Sequence, residues 1–275
     1  MKLLTCNTHS LVEDRYEEKL KAFVDKVATE KFDVIALQEV NQTHGGVEII
    51  IEHPEYFITD EDVKLNRDNH IMRAANMLYD RGVPYYYTWT PIKLGYNRYD
   101  EGIGILSLKK PEEVKQFYIS ASEEYSDWHS RKVIGVKIEG CWYYSVHMGW
   151  WQEETECFVH QWEKLCANVS ENDRIYLMGD FNNPANAKEE GYDLVLDSGF
   201  YDTYHLAGQK DEGITVVKTI DGWRDKGAAD KMRIDFIFKK DNAEVETSRV
   251  IFNGDNGPVI SDHFGVTIEE KEYKL

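Results

Sequence analysis

Short apolar runs alternate along the chain with stretches of helical periodicity. Runs of β-branched and aromatic residues predict buried strands, whereas apolar residues recurring every three or four positions predict amphipathic helices. We therefore expect strands at residues 3–7, 33–37, 85–90, 103–106, 133–138, 142–146, 175–178, 234–238 and 264–268, and helices through residues 20–28, 71–78 and 158–169. The strands at 133–138 and 142–146 are close enough to form a hairpin.

The order of these elements predicts the α/β (α+β) fold class. Strands outnumber helices in both halves of the chain, so we expect a four-layer sandwich of two packed, mostly antiparallel β-sheets flanked by helices. No repeat, low-complexity tract or Pro/Gly/Ser-rich linker divides the sequence, which predicts a single domain over residues 1–275. Polar connections at residues 41–69 and 204–231 are expected to be loops that contribute to a site.

The net charge bears on the choice of substrate. The chain has 32 Lys and Arg residues against 50 Asp and Glu residues, which gives a formal net charge of -18. Such a surface repels polyanions, so a nuclease would need a local basic groove. Acidity can also serve solubility alone. The charge therefore favours a small substrate without deciding the question.

Cysteine usage and hydropathy bear on the location of the protein. The cysteines at positions 6, 141, 157 and 166 form no C-x-x-C pair, which argues against a disulfide framework or a zinc cluster and predicts reduced thiols. The apolar run at the N-terminus is too short for a signal peptide, and no run approaches the roughly 18 apolar residues of a membrane span. We expect a cytoplasmic protein with no membrane partner, and no sequence feature indicates an obligate protein partner.

Polar side chains recur at the ends of the predicted strands. Glu39, Asn7 and Asp262 offer the hard oxygen ligands that Mg²⁺ prefers, and Mn²⁺ could substitute for it. Two histidines with carboxylate partners could transfer protons and stabilise developing charge. Each residue taken alone can be explained as a turn, a cap or a solvated strand end. Their combination favours metal-dependent chemistry.

In this order the segments resemble the endonuclease/exonuclease/phosphatase superfamily, which includes pancreatic deoxyribonuclease, abasic-site endonucleases, neutral sphingomyelinases and inositol phosphatases. The resemblance runs from Asn7 to His263. Its most specific parts are residues 37–39 (LQE), 179–182 (GDFN), 233–238 (RIDFIF) and 261–263 (SDH). Several such matches in the right order are far more specific than any one of them.

The resemblance implies a role for each matched residue. Glu39 and Asn7 would bind the metal, with Asp262 close to it. Asp180 would orient or deprotonate the attacking water, and Asn182 would hold phosphate or water. A metal and nearby donors supply the positive charge that the transition state of phosphoryl transfer needs.

The same resemblance implies two histidine–carboxylate pairs. His263, oriented by Asp235, and His147, oriented by Glu101, would stabilise the pentacoordinate phosphate and assist the leaving group. Deoxyribonuclease-like members carry phosphate-contacting groups at positions that correspond here to Tyr99, Arg131 and His44.

Two features favour a sugar phosphate over DNA. Deoxyribonuclease-like members can carry an arginine that enters the DNA minor groove where this chain has Asn41, and losing that cation weakens a nuclease assignment. Residues 2–10, 95–102 and 147–151 look most like a bacterial branch of the superfamily that includes maltose 6′-phosphate phosphatase. We therefore expect a Mg²⁺-dependent phosphomonoesterase of a small phosphorylated sugar such as maltose 6′-phosphate.

Three alternatives stay open at this point. An endonuclease or exonuclease would apply the same chemistry to nucleic acid, the less favoured partner. A sphingomyelin-type phosphodiesterase works on membranes outside the cell, which the lack of a signal and the acidic surface disfavour. A non-catalytic binding module should have lost a central group, yet every predicted catalytic residue is present in the sequence.

Two tryptophans, Trp150 and Trp151, follow His147 closely. Adjacent residues of a strand point to opposite faces, so one indole could belong to the core. The other could pack on a sugar ring beside the phosphate, although a nucleobase can also stack on an indole. The sequence leaves open which of the two faces the site.

Overall fold

The computed structural model describes residues 1–49, 55–58, 60, 62–170, 173–218, 220, 223 and 231–270. The strands in this part of the chain are β1 (Lys2–Asn7), β2 (Val34–Thr43), β3 (Tyr86–Gly95), β4 (Tyr99–Ser107), β5 (Glu113–Tyr118), β6 (Lys132–Ile138), β7 (Cys141–His147), β8 (Arg174–Asp180), β9 (Tyr201–Asp202), β10 (Ala207–Lys210), β11 (Asp235–Lys239), β12 (Val245–Ile251) and β13 (Gly265–Glu269). The helices are α1 (Tyr16–Glu30), α2 (His70–Asp80), α3 (Phe158–Asn168), α4 (Gly191–Asp197) and α5 (Thr203–Leu206), and a 3₁₀ turn covers Ser10–Val12.

The strands form two mixed sheets. The seven-stranded sheet has the order β10-β12-β13-β1-β2-β4-β3, and the six-stranded sheet has the order β5-β6-β7-β8-β11-β9. Most neighbouring strands are antiparallel, whereas β1–β2, β7–β8 and β10–β12 are parallel pairs. The predicted hairpin is β6–β7, and its turn residues Glu139 and Gly140 both have positive φ, as a tight two-residue turn requires.

Alternation along the strands builds the four layers. In β1, Leu4 and Cys6 pack with helices α1 and α2, whereas Leu3 faces the other sheet. In β8, Leu177 packs with α3 and α4, whereas Met178 faces the first sheet. Because successive strand residues point to opposite faces, each sheet buries one face under helices and the other against its partner sheet. The predicted sandwich of two sheets flanked by helices is confirmed.

Hydrogen bonds also join the two sheets. Gln38 of β2 donates from Nε2 to Ser145 Oγ of β7 at 2.9 Å, and Ser145 Oγ donates to the Leu37 carbonyl at 3.0 Å. Within the first sheet, Thr5 of β1 donates to Gln38 Oε1 at 3.3 Å and so helps to orient the Gln38 amide toward Ser145. These bonds fix the lateral position of one sheet on the other close to the ends of β1 and β7.

The pattern of apolar residues does not predict every strand. Strand β5 is a half-exposed edge strand, and β12 has polar residues between its apolar ones, so neither shows a long apolar run. The predicted loops are shorter than expected, because β2 continues to Thr43 and because α5 and β10 fall within residues 203–210. Residues 50–54, 59, 61, 219, 221–222 and 224–230 of these two predicted loops lie outside the described residues.

The remaining features of the described residues are the lengths of their helices and the state of their cysteines. No helix in the described ranges is long and apolar enough to cross a membrane. The cysteines at positions 6, 141, 157 and 166 are all free thiols.

Candidate active site

The central strands of the two sheets end beside each other. In the first sheet Asn7 of β1 pairs with Gln38 of β2, and in the second sheet His147 of β7 pairs with Asp180 of β8. Both pairs are parallel, so the ends of β1, β7 and β8 lie on the same side of the two sheets, while β2 continues past Gln38 to Thr43. Asn7 Nδ2 donates to Asp180 Oδ2 at 3.2 Å and so connects the two edges.

A β-bulge directs Glu39 to the same place. Between Leu37 and Val40 the register of β2 against β4 shifts, and Glu39 within the bulge has a left-handed backbone with φ 50°. This conformation is unfavourable for a residue with a Cβ, and backbone strain of this kind concentrates at functional sites. Glu39 Oε1 accepts a hydrogen bond from Asn7 Nδ2 at 2.8 Å.

Asp180 lies between two imidazoles. Its Oδ2 atom is 3.6 Å from His147 Nε2 and 3.7 Å from His263 Nε2. His263 Nδ1 is 3.0 Å from Asp235 Oδ2, which is the predicted orienting pair. All four side chains are buried. The arrangement places one carboxylate within reach of two groups that can donate or accept a proton.

The two imidazoles have opposite electrostatic surroundings. Burial lowers the pKa of His147 well below its usual value, and the nearby cations Arg131 and Lys93 lower it further. Burial also disfavours the charged form of His263, but Asp235 and Asp180 outweigh it and hold its pKa well above the usual value. These surroundings favour the neutral form of His147 and the protonated form of His263. Burial in turn raises the pKa of Asp180.

Asn182 supports Asp180 from the loop that follows β8. Its backbone N–H donates to Asp180 Oδ1 at 2.9 Å. Its Nδ2 atom donates to the Met148 carbonyl at 3.0 Å, and its Oδ1 atom accepts from Trp223 Nε1 at 3.0 Å. The amide of Asn182, predicted to hold phosphate or water, thus has protein partners on both of its polar atoms.

Glu101, predicted to orient His147, pairs with a lysine instead of showing a contact with His147. Glu101 Oε1 is 3.2 Å from Lys93 Nζ, and the carboxylate beside His147 is Asp180. Lys93 of β3 lies directly across from Glu101 of β4 in the sheet register, which brings the two charges together. Burial lowers the pKa of Lys93, with Arg131 adding to the effect and Glu101 opposing it. Sequence reasoning assigns Lys93 no role, because a single lysine in a strand resembles a solvent-facing residue.

Arg131 is a second buried cation at the site. Its Nη1 atom donates to the carbonyls of Trp128 and Ser130 at 3.1 and 3.2 Å. Its Nε atom has no hydrogen-bond partner among the described residues. Burial lowers the pKa of Arg131, while Glu101 and Asp180 favour its charged form. A buried guanidinium with a donor to spare is suited to bind an anion.

Trp150 lies close to the Arg131 guanidinium, whereas Trp151 does not. The Arg131 guanidinium stands 5.8 Å from the centroid of the Trp150 ring. Trp151 instead packs in the outer core of the second sheet, with its ring 6.3 Å from that of Phe158. Of the two indoles, Trp150 is therefore the one near Arg131, and its contact with substrate stays a prediction.

Tyr99 and His44 have partners away from the two imidazoles. The Tyr99 hydroxyl donates to the Leu11 carbonyl at 3.2 Å. His44 has a side chain that is 56% exposed, and its Nδ1 atom is 2.6 Å from Asp100 Oδ1. The predicted phosphate contacts of these two residues stay predictions.

Several carboxylates face one another where the metal is predicted. Burial raises the pKa of Glu39, and Glu101 and Asp262 add to the effect by repulsion. Asp262 Oδ1 is 3.8 Å from His9 Nδ1, and the potential ligand atoms of His9, Glu13 and Asp262 all lie within 4.8 Å of one another. A bound divalent cation would offset the repulsion between such groups, so the donor set fits a hard metal ion.

Asn7 needs one adjustment to serve as a ligand. Its amide nitrogen faces Glu39 and Asp180, while its Oδ1 atom accepts from the backbone N–H of His9 at 3.2 Å. Only the amide oxygen can bind a cation, so the amide would have to turn. His9, to which sequence reasoning gives no role, borders this group two residues after Asn7.

Comparison with known proteins places the chain in a family. A model of the Endonuclease/Exonuclease/phosphatase family matches residues 4–263. The structure of an endonuclease/exonuclease/phosphatase family protein from Leptotrichia buccalis C-1013-b is 30% identical with a TM-score of 0.86, covering 99% of this chain and 100% of that chain. No curated protein sequence matches.

Two more distant structures share the fold. A mannosyl-6-phosphatase from Bacteroides thetaiotaomicron VPI-5482 is 15% identical with a TM-score of 0.64, covering 98% of each chain. A 3′ phosphatase from Neisseria, bound to a product DNA hairpin, is 19% identical with a TM-score of 0.62, covering 99% of this chain and 100% of that chain.

The fold, the site and these matches define a metal-dependent hydrolase that acts on phosphate esters, as a phosphatase or a nuclease. The chain belongs to the endonuclease/exonuclease/phosphatase family. Members of this family depend on a divalent metal, and the acidic groups described above are a candidate place for it.

Proposed function

We propose that the protein is a Mg²⁺-dependent phosphomonoesterase that hydrolyses a small sugar phosphate. The observation that carries this proposal is a pair of buried cations beside the two imidazoles in an otherwise acidic molecule. Lys93 and Arg131 are buried close to His147, and Asp235 and Asp180 raise the pKa of His263, although the formal net charge is -18. A phosphomonoester near neutral pH carries between one and two negative charges on its terminal oxygens, and such a compact anion suits a small, buried cationic site.

Each buried group has a task in this proposal. Asp180, held by the backbone of Asn182, accepts a proton from the attacking water, because it is a carboxylate whose pKa is raised toward neutrality by burial. His263, kept charged by Asp235, donates a hydrogen bond to a phosphoryl oxygen as charge develops there. His147, whose surroundings favour the neutral form, would donate its ring N–H as a hydrogen bond to the leaving oxygen, and that oxygen takes its proton from water.

The remaining groups bind the phosphate and the metal. Arg131 offers its Nε–H to the phosphate. Lys93, which lies in the first sheet, neutralises part of the phosphate charge. Glu39, Asp262 and a turned Asn7 would hold the Mg²⁺ ion, whose bound form supplies Lewis-acid polarisation of a phosphoryl oxygen.

One observation supports a sugar phosphate over nucleic acid. Asn41, at the position where a DNA-binding arginine would stand, is fully buried, so its side chain is not presented to a groove. The fold itself is shared with a mannosyl-6-phosphatase and with a DNA 3′ phosphatase and favours neither substrate. The four free thiols support a reducing, cytoplasmic location, which is part of the same proposal.

The test is a comparison of phosphate release with added Mg²⁺. The substrates are maltose 6′-phosphate, glucose 6-phosphate, mannose 6-phosphate, a mononucleotide and a DNA hairpin with a 3′ phosphate, and Asp180→Asn is the inactive control. We expect the highest kcat/KM with one of the sugar phosphates. Efficient action on DNA with negligible release from every sugar phosphate would overturn the substrate class while leaving the hydrolase chemistry in place.

A further inference from the structure

Trp128 has an exposed side chain, but hydrogen bonds from two side chains of the candidate site hold its backbone. Of the seven tryptophans in the chain it is the only one that is mostly exposed, at 52%. Its main-chain carbonyl accepts a hydrogen bond from Lys93 Nζ at 2.8 Å and another from Arg131 Nη1 at 3.1 Å. The two buried cations at the phosphate-binding end thus fix the backbone from which this indole projects.

Aromatic neighbours fix the indole itself. The centroid of the Trp128 ring is 3.6 Å from that of His129, and His129 Nδ1 is held by Asp127 Oδ1 at 2.9 Å. The Trp150 ring lies 6.1 Å from the Trp128 ring and packs over the Arg131 guanidinium. A continuous set of contacts therefore leads from the cation at the site, through Trp150, to an exposed indole.

An isolated exposed hydrophobic residue needs no explanation, because much of any protein surface is apolar. Trp128 differs because its backbone and its ring are both constrained, and a rigid aromatic surface loses little entropy when a ligand packs on it. Indoles present a flat apolar face, and the axial C–H groups of a pyranose ring form a matching apolar face.

We propose that Trp128 and Trp150 form an aromatic platform that binds the pyranose ring of a hexose 6-phosphate while Arg131 and Lys93 bind its phosphate. This inference rests on the proposed phosphomonoesterase function and adds a requirement for a ring in the substrate. The exocyclic methylene of a 6-phosphate separates the ring from the anion, as the platform and the two cations are separate but adjacent in the protein. A substrate that has the phosphate and no ring gains nothing from Trp128.

The experiment compares a substrate that has a ring with one that lacks it. Glucose 6-phosphate and glycerol 3-phosphate are both phosphate esters of a primary alcohol, and only the first contains a pyranose. We expect Trp128→Ala to raise KM for glucose 6-phosphate roughly 10-fold, the scale of one aromatic contact, with kcat nearly unchanged. The kcat/KM for glycerol 3-phosphate should change less than about twofold.

Two further variants control for indirect effects. Trp128→Phe keeps an aromatic face and should recover most of the affinity for glucose 6-phosphate. Tyr79→Ala removes another exposed aromatic ring, on helix α2, and should change neither substrate. Equal losses for both substrates in Trp128→Ala would mean that Trp128 only holds the two cations in place, and they would overturn the platform. Unchanged constants for both substrates would overturn it as well.

Failure of the platform and failure of the proposed function give different results. If the wild-type protein releases no phosphate from any sugar phosphate, the proposed function fails. Calorimetric titration of Asp180→Asn with glucose 6-phosphate, with and without Trp128→Ala, then decides whether the platform binds a sugar. Binding that does not depend on Trp128, or no binding, overturns the platform. A larger loss for a mononucleotide than for glucose 6-phosphate would assign the platform to a nucleobase and overturn the sugar assignment.

Discussion

The two parallel strand pairs at the site, β1–β2 and β7–β8, share a backbone arrangement but differ in what they carry. The first pair presents an amide at the end of β1 and a carboxylate within β2, Asn7 and Glu39, whereas the second ends in an imidazole and a carboxylate, His147 and Asp180. The first pair reaches its carboxylate through a bulge, and the second reaches it through a regular register. The fold therefore supplies two equivalent edges, and under the proposed function local sequence decides which binds a cation and which moves protons.

The largest expected effect comes from the β7–β8 edge. Asp180→Asn and His263→Asn should each lower kcat by roughly 10²-fold or more, because under the proposed function each removes a group that acts on the chemical step. Steady-state kinetics would measure this, with His160→Asn on the surface of α3 as the matched control. Variants that change KM alone would contradict the assigned roles.

A smaller, different effect is expected at the β1–β2 edge. Glu39→Gln removes a charged oxygen ligand, so the Mg²⁺ concentration that gives half-maximal activity should rise at least about 10-fold. Chelation by EDTA should abolish wild-type turnover. Asp180→Asn should leave the metal dependence of any residual activity nearly unchanged. Full activity of Glu39→Gln without added metal would refute the division of labour between the edges.

The regular register of β7–β8 depends on Gly179. A Cβ at this position would overlap the main-chain carbonyl oxygen of Val146 and push the strands apart just before His147 and Asp180. We expect Gly179→Ala to destabilise the protein by about 1–3 kcal/mol, as overpacking does, and to lower kcat. Urea unfolding measures the first effect, and Gly208→Ala in β10, where the nearest atom would be 3.7 Å away, should be tolerated. Wild-type stability in Gly179→Ala would refute the steric argument.

The smallest expected effect is a change in the free energy of unfolding with pH, and it comes from the contrast between two buried histidines. His263 is paired with a carboxylate, whereas His70 in the α2 layer contacts the Tyr16 hydroxyl, and burial lowers its pKa to about 3. The unfolded chain binds a proton at His70 near pH 6.5, so this contribution to stability is complete above that pH and is lost as the pH falls below it.

Between pH 7 and pH 5.5 the loss from His70 should amount to about 1.3 kcal/mol. Urea unfolding of the wild type and of His70→Gln at both pH values would isolate it, since other groups titrate alike in the two proteins. His160→Gln serves as the exposed control. An equal pH dependence in the wild type and in His70→Gln would show that His70 is protonated in the folded state.

Sequence predicts the ends of β1, β7 and β8 well, but it ends the second strand before Glu39 although β2 continues to Thr43, and it predicts the pairings between strands less well. Asn7, Glu39, His147 and Asp180 follow apolar runs, and an apolar run with a polar tip is visible in the sequence. The bulge at Glu39 is not visible, because nothing in residues 37–40 shows that two residues will oppose one.

Partners from different strands are harder to foresee. Glu101 faces Lys93 because of the β3–β4 register, which contains an irregularity after Pro91 that the sequence does not reveal. The choice between Trp150 and Trp151 depends in the same way on the loop after β7. Alternation alone shows that the two indoles diverge, but the packing against Arg131 decides which one approaches the site.

The hydrogen bonds of Gln38 and Ser145 give the site a mechanical property. Each sheet is rigid, and the groups of the candidate site are divided between the two sheets. A lateral shift of one sheet on the other would lengthen the Asn7–Asp180 and Gln38–Ser145 hydrogen bonds together, because both cross the interface between the sheets. Hydrogen bonds between the sheets therefore hold the side chains of the candidate site in register. The surrounding loops can differ in length and composition without disturbing that register.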